Sequence, residues 1–132
     1  MSTRHTPERE QANNYPLASV AASGVILAGG LSRRLGRDKA LVSISDQPLI
    51  QRVIERVEQL SQEIVVVVAD QNRAADLPLA QEHRVVLDRY PGTGSLGGIF
   101  SGLDAASNGW ILVVACDMPF LNLALLRRMM AL

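Results

Sequence analysis

The feature that most constrains the fold is an uninterrupted run of β-branched residues at positions 64–68, Ile-Val-Val-Val-Val. A strand with one wet face alternates apolar and polar residues, whereas a continuous apolar run is typical of a parallel strand covered on both faces. Residues 49–60 precede this run and place apolar side chains at helical spacing after Pro48, which predicts a surface helix. Three more segments have an apolar centre and strand length: residues 25–27, 84–88 and 110–115. Strands that alternate with helices predict an α/β fold, a Rossmann-like three-layer α/β/α domain with a mainly parallel sheet.

Two further helices and a tail complete the predicted organisation. The apolar-periodic residues 99–106 predict a helix, and Asn122 can cap a final helix over residues 123–131. Residues 1–22 are polar and interrupted by prolines, which predicts a disordered N-terminal tail. Residues 23–132 are therefore expected to form one domain.

Composition limits the partners and the compartment. The chain carries 13 basic and 13 acidic residues, so its formal net charge is zero. This balance gives no long-range attraction to nucleic acid or to an anionic membrane, and we expect neither as a partner. The single cysteine, Cys116, excludes an internal disulfide and fits a reducing compartment. Without an apolar run of membrane-spanning length or a secretory signal, the sequence predicts a cytoplasmic protein.

The strongest chemical signal follows the first strand, in the segment Leu-Ala-Gly-Gly-Leu-Ser-Arg-Arg-Leu-Gly-Arg-Asp-Lys at residues 27–39. Ligands of parallel sheets bind outside the carboxyl ends of strands. Gly29 and Gly30 let the backbone approach a ligand, and successive N–H groups in such a loop bind anions. Arg34 and Lys39 add positive charge for phosphate oxygens. The alternative is a glycine turn with solvated basic residues.

Two more polar signals follow predicted strands. Asp88 precedes a glycine-rich loop that opens a helix, where free N–H groups and the helix dipole favour an anion. Asp117 follows the apolar run at 110–115, and Mg²⁺ usually takes one or two carboxylates together with substrate phosphates. Asp117 is therefore the predicted metal ligand, with a capped turn as the alternative.

Four other conspicuous side chains carry no predicted chemistry. Cys116 is expected to be an inert buried residue, and His83 is expected to be solvated. Phe100 and Trp110 are expected in the core rather than as stacking platforms.

Taken together, three motifs resemble the molybdenum cofactor guanylyltransferase family of the nucleotidyltransferase superfamily. They are Leu-Ala-Gly-Gly-x-Ser-x-Arg-x-Gly-x-Asp-Lys, Pro-Gly-x-Gly-x-Leu-x-Gly-Ile and Asp-Met-Pro, in that order. The resemblance covers residues 24–126 and implies a nucleotidyltransferase fold. It also implies a Mg²⁺-dependent transfer of GMP from GTP to a molybdopterin-type phosphorylated acceptor, with release of pyrophosphate.

The resemblance also implies roles for individual residues. Arg34, Lys39 and Asp117 form the implied catalytic set, and Asp117 alone binds the metal. The implied nucleotide-binding residues are Leu27, Ala28, Gly29, Gly30, Lys39, Asp88 and Asp117. The family often carries Asn after its second strand, where this chain has Val68 with Asp70 nearby, so base or ribose recognition on that side departs from the pattern.

Two alternatives stay open beside guanylyl transfer: a cytidylyl- or sugar-phosphate nucleotidylyltransferase, and a non-catalytic nucleotide-binding fragment. The chain stops within an apolar helical pattern, whereas the family continues for further strands and helices. We therefore expect a domain truncated at its C-terminus, and an exposed sheet edge that promotes self-association.

Overall fold

The structure is a computed structural model that describes residues 21–29, 43–44, 47–79, 83–118 and 120–131. The strands are β1 (Ala22–Leu27), β2 (Ser43–Ile44), β3 (Gln47–Pro48), β4 (Glu63–Val68), β5 (Arg84–Leu87) and β6 (Trp110–Ala115). The helices are α1 (Leu49–Glu58), α2 (Gln71–Asp76), α3 (Ser95–Ala105) and α4 (Leu123–Met130). The four predicted strands and three predicted helices are all present, with boundaries shifted by a few residues.

Four strands form one parallel sheet in the order β5-β4-β1-β6. β1 lies at its centre, with Val25 opposite Val65 of β4 on one side and opposite Val113 of β6 on the other. The chain first builds outward from β1 to β4 and β5, and then returns past β1 to add β6. The predicted α/β class with a parallel sheet is confirmed.

Alternate residues of the central strands face two separate apolar layers, which is the burial expected of a parallel sheet covered on both faces. One layer joins Ile26 and Val66 of the sheet to Ile50, Val53 and other apolar side chains of α1. The second layer contains Val25, Val65 and Val67, with Ala105 of α3 packed against them. The helices therefore lie on both faces, as the three-layer prediction requires.

Two glycines bring the helices close to β1. A Cβ at Gly24 would lie 2.2 Å from Cγ1 of Val57, on the face that α1 covers. A Cβ at Gly102 of α3 would lie 2.3 Å from Cγ1 of Val25, on the opposite face. Both distances are far below a normal contact, so the absence of these side chains sets how closely the layers pack.

The structure corrects four of the expectations. Ala22 was placed in the tail, but it is fully buried as the first residue of β1, where its N–H donates to Oε1 of Gln62. His83 was expected to be solvated, but its side chain is only 8% exposed because it packs beside Glu58, with Nε2 at 3.4 Å from Oε2. Phe100 and Trp110 were expected in the core, but they are 44% and 52% exposed because α3 turns Phe100 outward and Trp110 lies on an edge strand.

Two elements were not predicted: the short antiparallel β2–β3 pair and the six-residue α2. The predicted N-terminal tail lies, except for its last two residues, outside the described residues. Among the helices of the described residues, none is long and apolar enough to cross a membrane.

Candidate functional site

The strand order locates a crevice at the carboxyl ends of β1 and β6. The chain leaves β1 toward β4 on one side and later places β6 on the other, so the connections from these two neighbours diverge. Ligands of open α/β sheets bind at such a switch point. The last residues of the two strands, Leu27 and Ala115, stand opposite each other in register.

At the end of β1, hydrogen bonds from both neighbouring strands fix the first residues of the predicted nucleotide loop. The Cys116 N–H donates to the Leu27 carbonyl at 3.1 Å, and the Ala28 N–H donates to the Val67 carbonyl at 2.8 Å. Ala28 is fully buried, whereas Gly29 is exposed and a Cβ built on it would meet nothing within 4 Å. Gly29, the last described residue of this segment, is therefore open to a ligand beside a hydrogen-bonded strand end.

Three residues of the predicted site lie outside the described residues: Gly30, Arg34 and Lys39. Their roles in holding phosphate stay predictions.

At the end of β6, a partly buried thiol precedes an exposed carboxylate. Burial raises the pKa of the Cys116 thiol, and the negative charge of Asp117 raises it further. The Arg73 guanidinium acts on the same thiol in the opposite direction, so all three groups lie near this strand end. With its pKa raised, Cys116 stays a neutral thiol, which agrees with the expectation of an inert residue. Asp117 is left facing solvent at the crevice.

The glycine-rich segment that follows β5 begins at Asp88 and leads into α3, which lies beside the end of β1. The Asp88 side chain accepts a hydrogen bond from the Tyr90 N–H at 2.8 Å, which closes a tight turn after the strand. Thr93 lies one residue before Gly94, the N-cap of α3, and its Oγ1 accepts from the Gly97 N–H in the first turn of that helix at 3.1 Å. A Cβ at Gly98 would lie 3.2 Å from Cδ2 of Leu27 and 3.9 Å from Oδ2 of Asp88. The start of α3 therefore lies beside both Leu27 and Asp88.

The structure adds one residue to this region that the sequence reasoning missed. Arg73 of α2 is only 4% exposed, and its Nε donates to the Ala28 carbonyl at 2.9 Å. Asp70 caps α2, because its Oδ1 accepts from the Arg73 N–H at 2.8 Å, and Val68 is fully buried in β4. The available signal was the position of Asp70 directly after a buried strand, where an N-cap begins a helix.

The chemistry of the donors is compatible with a divalent metal ion shared with a ligand. No group of three or more His, Cys, Asp or Glu side chains that could hold a metal occurs in the described part of the chain. Mg²⁺ commonly keeps several waters and binds one or two carboxylates plus substrate phosphates. The exposed Asp117 carboxylate fits such an incomplete site.

Comparison with known proteins identifies the family. A model of the MobA-like NTP transferase domain matches residues 24–132. A molybdenum cofactor guanylyltransferase of Vibrio atlanticus is 42% identical over 117 residues, which cover 87% of this chain and 58% of that protein. The chain spans about half the length of the curated relatives it matches.

Solved structures agree with this assignment. Molybdopterin-guanine dinucleotide biosynthesis protein A of Archaeoglobus fulgidus is 30% identical, with a TM-score of 0.59 over 76% of this chain and 49% of that one. A Mycobacterium tuberculosis protein in complex with manganese has a TM-score of 0.65 at 19% identity, covers 84% of this chain and 58% of that one, and has the same fold. The match of the family model from Gly24 onward confirms the resemblance in the motifs, and the chain belongs to the MobA-like NTP transferase family.

Proposed function

We propose that the crevice between β1 and β6 binds GTP and a divalent metal ion, and that the chemistry of the site is transfer of GMP to a molybdopterin-type phosphorylated acceptor. The proposal rests on one observation, which is that two predicted ligand groups lie at the same switch point of the sheet. The Gly29 loop leaves β1 and Asp117 follows β6, and these two strands are hydrogen-bonded neighbours. The family name and the guanylyltransferase relatives support the choice of nucleotide and acceptor.

In the proposed reaction, an acceptor phosphate oxygen attacks the α-phosphorus of GTP. The new P–O bond forms as the bond to the β-phosphate bridging oxygen breaks, and pyrophosphate leaves with that electron pair. Positioning and neutralisation of charge supply most of the catalysis in phosphoryl and nucleotidyl transfer. The backbone of Leu27, Ala28 and Gly29 positions the nucleotide, with Arg34 and Lys39 beside the triphosphate. Asp88 contacts the nucleotide from the β5 side.

A divalent ion bound here would supply positive charge that offsets the charge of the departing pyrophosphate. Asp117 would hold that ion, which leaves room in its coordination for oxygen ligands from the substrate and water. The manganese in the complex of the Mycobacterium tuberculosis protein supports a divalent ion in this fold. We propose Mg²⁺ as the ion of this chain, because the ligand set consists of oxygen atoms.

Calorimetric titration with GTP tests the binding step. Loss of one charged contact to phosphate is worth about 1.5 to 3 kcal/mol, so Lys39→Ala raises the Kd for GTP about tenfold to hundredfold. Arg128→Ala, which removes an exposed cation from α4, is the matched control and leaves the affinity unchanged. Equal affinities of the Lys39→Ala variant and the unmodified chain contradict the phosphate assignment. Tighter binding of CTP or UTP than of GTP favours the cytidylyl- or sugar-phosphate alternative.

A second candidate function is nucleotide binding without turnover, because the described residues hold no group of three or more side chains that could bind a metal without further ligands. Pyrophosphate release from GTP in the presence of a molybdopterin-type acceptor separates the two. Release above the background of the Asp117→Asn variant supports transfer. GTP binding with no release supports the binding module.

A further inference from the structure

Arg73 is a buried cation beside the crevice that the proposed chemistry does not use. Arginine is rarely buried unless hydrogen bonds compensate its lost hydration. Arg73 is 4% exposed, and its Nε donates to the Ala28 carbonyl across 45 residues of sequence. This hydrogen bond joins a buried cation to the backbone at the start of the nucleotide loop.

Local structure fixes the position of Arg73. β4 ends at Val68, and Asp70 begins α2 by accepting the Arg73 N–H at its Oδ1. This cap sets the first turn of α2 and directs the arginine side chain back toward β1. Ala28 is then held twice, since its N–H donates to the Val67 carbonyl and its C=O accepts from Arg73.

The planar trans peptide converts this contact into a direction for the next residue. The carbonyl of one residue and the N–H of the following residue point to opposite sides of their shared peptide plane. With the Ala28 carbonyl anchored on Arg73, the Gly29 N–H points away from the guanidinium. Gly29 is exposed, and a Cβ built on it would meet nothing within 4 Å, so a ligand can approach its backbone.

We propose that Arg73 is a positioning residue that aims the Gly29 N–H at an acceptor atom of the bound nucleotide. It acts through the Ala28–Gly29 peptide and does not touch the nucleotide. The proposal rests on the proposed function, because it assumes that GTP occupies the Gly29 loop. The competing explanation is that Arg73 only ties α2 to β1.

The test compares two arginines that both donate to backbone carbonyls. Arg56 of α1 donates from Nη1 to the Leu121 carbonyl at 2.9 Å, so Arg56→Met removes a similar bond elsewhere. We expect Arg73→Met to raise the Kd for GTP about tenfold, the effect of losing one well-aimed hydrogen bond to a charged ligand, while Arg56→Met leaves it unchanged. Arg73→Lys keeps the charge and one donor, and we expect it to recover part of the affinity.

Nuclear magnetic resonance of the Gly29 amide supplies a readout that a purely structural role does not move. In the unmodified chain and in Arg56→Met, GTP shifts the Gly29 amide resonance, whereas in Arg73→Met the shift is reduced even when melting shows a folded protein.

If Arg73→Met fails to fold, Arg73→Lys takes its place in both measurements. A GTP affinity and a Gly29 shift equal to those of the unmodified chain overturn the proposal. If the unmodified chain binds no GTP, the proposed function fails. In that case, the Gly29 amide resonance without ligand still tests whether Arg73 orients the Ala28–Gly29 peptide. If this resonance is the same in the unmodified chain, Arg73→Lys and Arg73→Met, Arg73 does not orient the peptide.

Discussion

Glu63 and Asp117 lie at opposite ends of the sheet, and the surroundings of their carboxylates differ. At the amino end, Glu63 is surrounded by fixed donors: its Oε2 accepts from Ser23 Oγ at 2.6 Å and from the Ser107 N–H at 2.9 Å. These hydrogen bonds, with the Ser23 hydroxyl first, lower the pKa of the Glu63 carboxyl below its ordinary value. At the carboxyl end, Asp117 is exposed and available to a ligand. The first carboxylate links β1 and β4 to the segment before β6, and the second is the proposed metal ligand.

Glu63 predicts a pH-dependent stability. Because its pKa is lower in the folded chain, its contribution is complete above the ordinary carboxyl value and is lost as pH falls through the lowered pKa. Glu63→Gln removes the charge, and we expect it to lower the free energy of unfolding by about 1 to 2 kcal/mol at neutral pH, since charge-assisted hydrogen bonds are replaced by neutral ones. Urea unfolding at several pH values measures this difference, which shrinks in acid. The control is Glu55→Gln, which changes an exposed carboxyl of α1. If the free energies of unfolding of the two variants depend on pH in the same way, Glu63 is not the source of the pH-dependent stability.

If Asp117 holds the metal ion, the effect of that ion on the affinity for GTP should depend on the Asp117 carboxylate. Asp117→Asn keeps the size of the side chain and removes its charge, so the gain in GTP affinity on adding Mg²⁺ or Mn²⁺ falls about tenfold or more, as loss of a charged partner costs about 1.5 to 3 kcal/mol. Asp76→Asn, on the exposed end of α2, is the matched control. Persistent metal dependence in Asp117→Asn identifies another carboxylate as the ligand, with Asp88 the next to test.

At the scale of elements, the sequence was informative where burial imposes a pattern. β4 and α1 could be predicted because each pattern depends only on which faces the element covers. α2 could not be predicted from periodicity, because its six residues contain little apolar surface and its burial depends on Arg73 reaching the Ala28 carbonyl. Trp110 was wrongly placed in the core because its burial depends on a neighbour beside β6, and the sequence of β6 does not specify one.

The candidate site was predictable in part for the same reason. Leu27 and Asp117 come at strand ends, and strand ends of a parallel sheet share one edge, so their proximity follows from the strand order. Arg73 belongs to the site through a contact across the fold, which no local pattern in the sequence encodes.

The close approach of α3 to β1 predicts a sharp size limit at Gly102. Gly102→Ala places a methyl 2.3 Å from Cγ1 of the buried Val25, which must shift within a packed layer. Overpacking typically costs about 1 to 3 kcal/mol and alanine recovers about 1 kcal/mol of helix propensity, so we expect a net loss of up to about 2 kcal/mol in unfolding free energy. Thermal or urea unfolding measures it. Gly109→Ala, where the new Cβ meets nothing within 4 Å, is the control, and equal stability of the two variants contradicts the packing argument.

At the scale of the whole molecule, the β6 edge of the parallel sheet has no neighbouring strand in the part of the chain that the structure describes. Within the described residues β6 pairs only with β1, and α4 beside it contains no buried residue. Trp110, Leu125 and Met129 are 52%, 57% and 56% exposed, and we call these three side chains the β6–α4 surface. An apolar cavity of about 180 Å³ lies between the strand and the helix, lined by Ile111, Leu126 and Met130 among others. Open strand edges and contiguous apolar patches both promote association.

The β6–α4 surface therefore predicts that the 132-residue chain self-associates through it. In sedimentation velocity, we expect the average molecular mass to rise above that of the monomer as the protein concentration increases. Met129→Lys places a charge in the middle of the apolar patch, and lysines on open edges oppose pairing, so this variant shifts the distribution toward the monomer. Leu103→Lys is the matched control, because Leu103 is a similarly exposed apolar residue, 46% exposed, on α3. We expect it to associate like the unmodified chain. A monomer at all concentrations, or equal loss of association in both lysine variants, contradicts the assignment of the contact to β6 and α4.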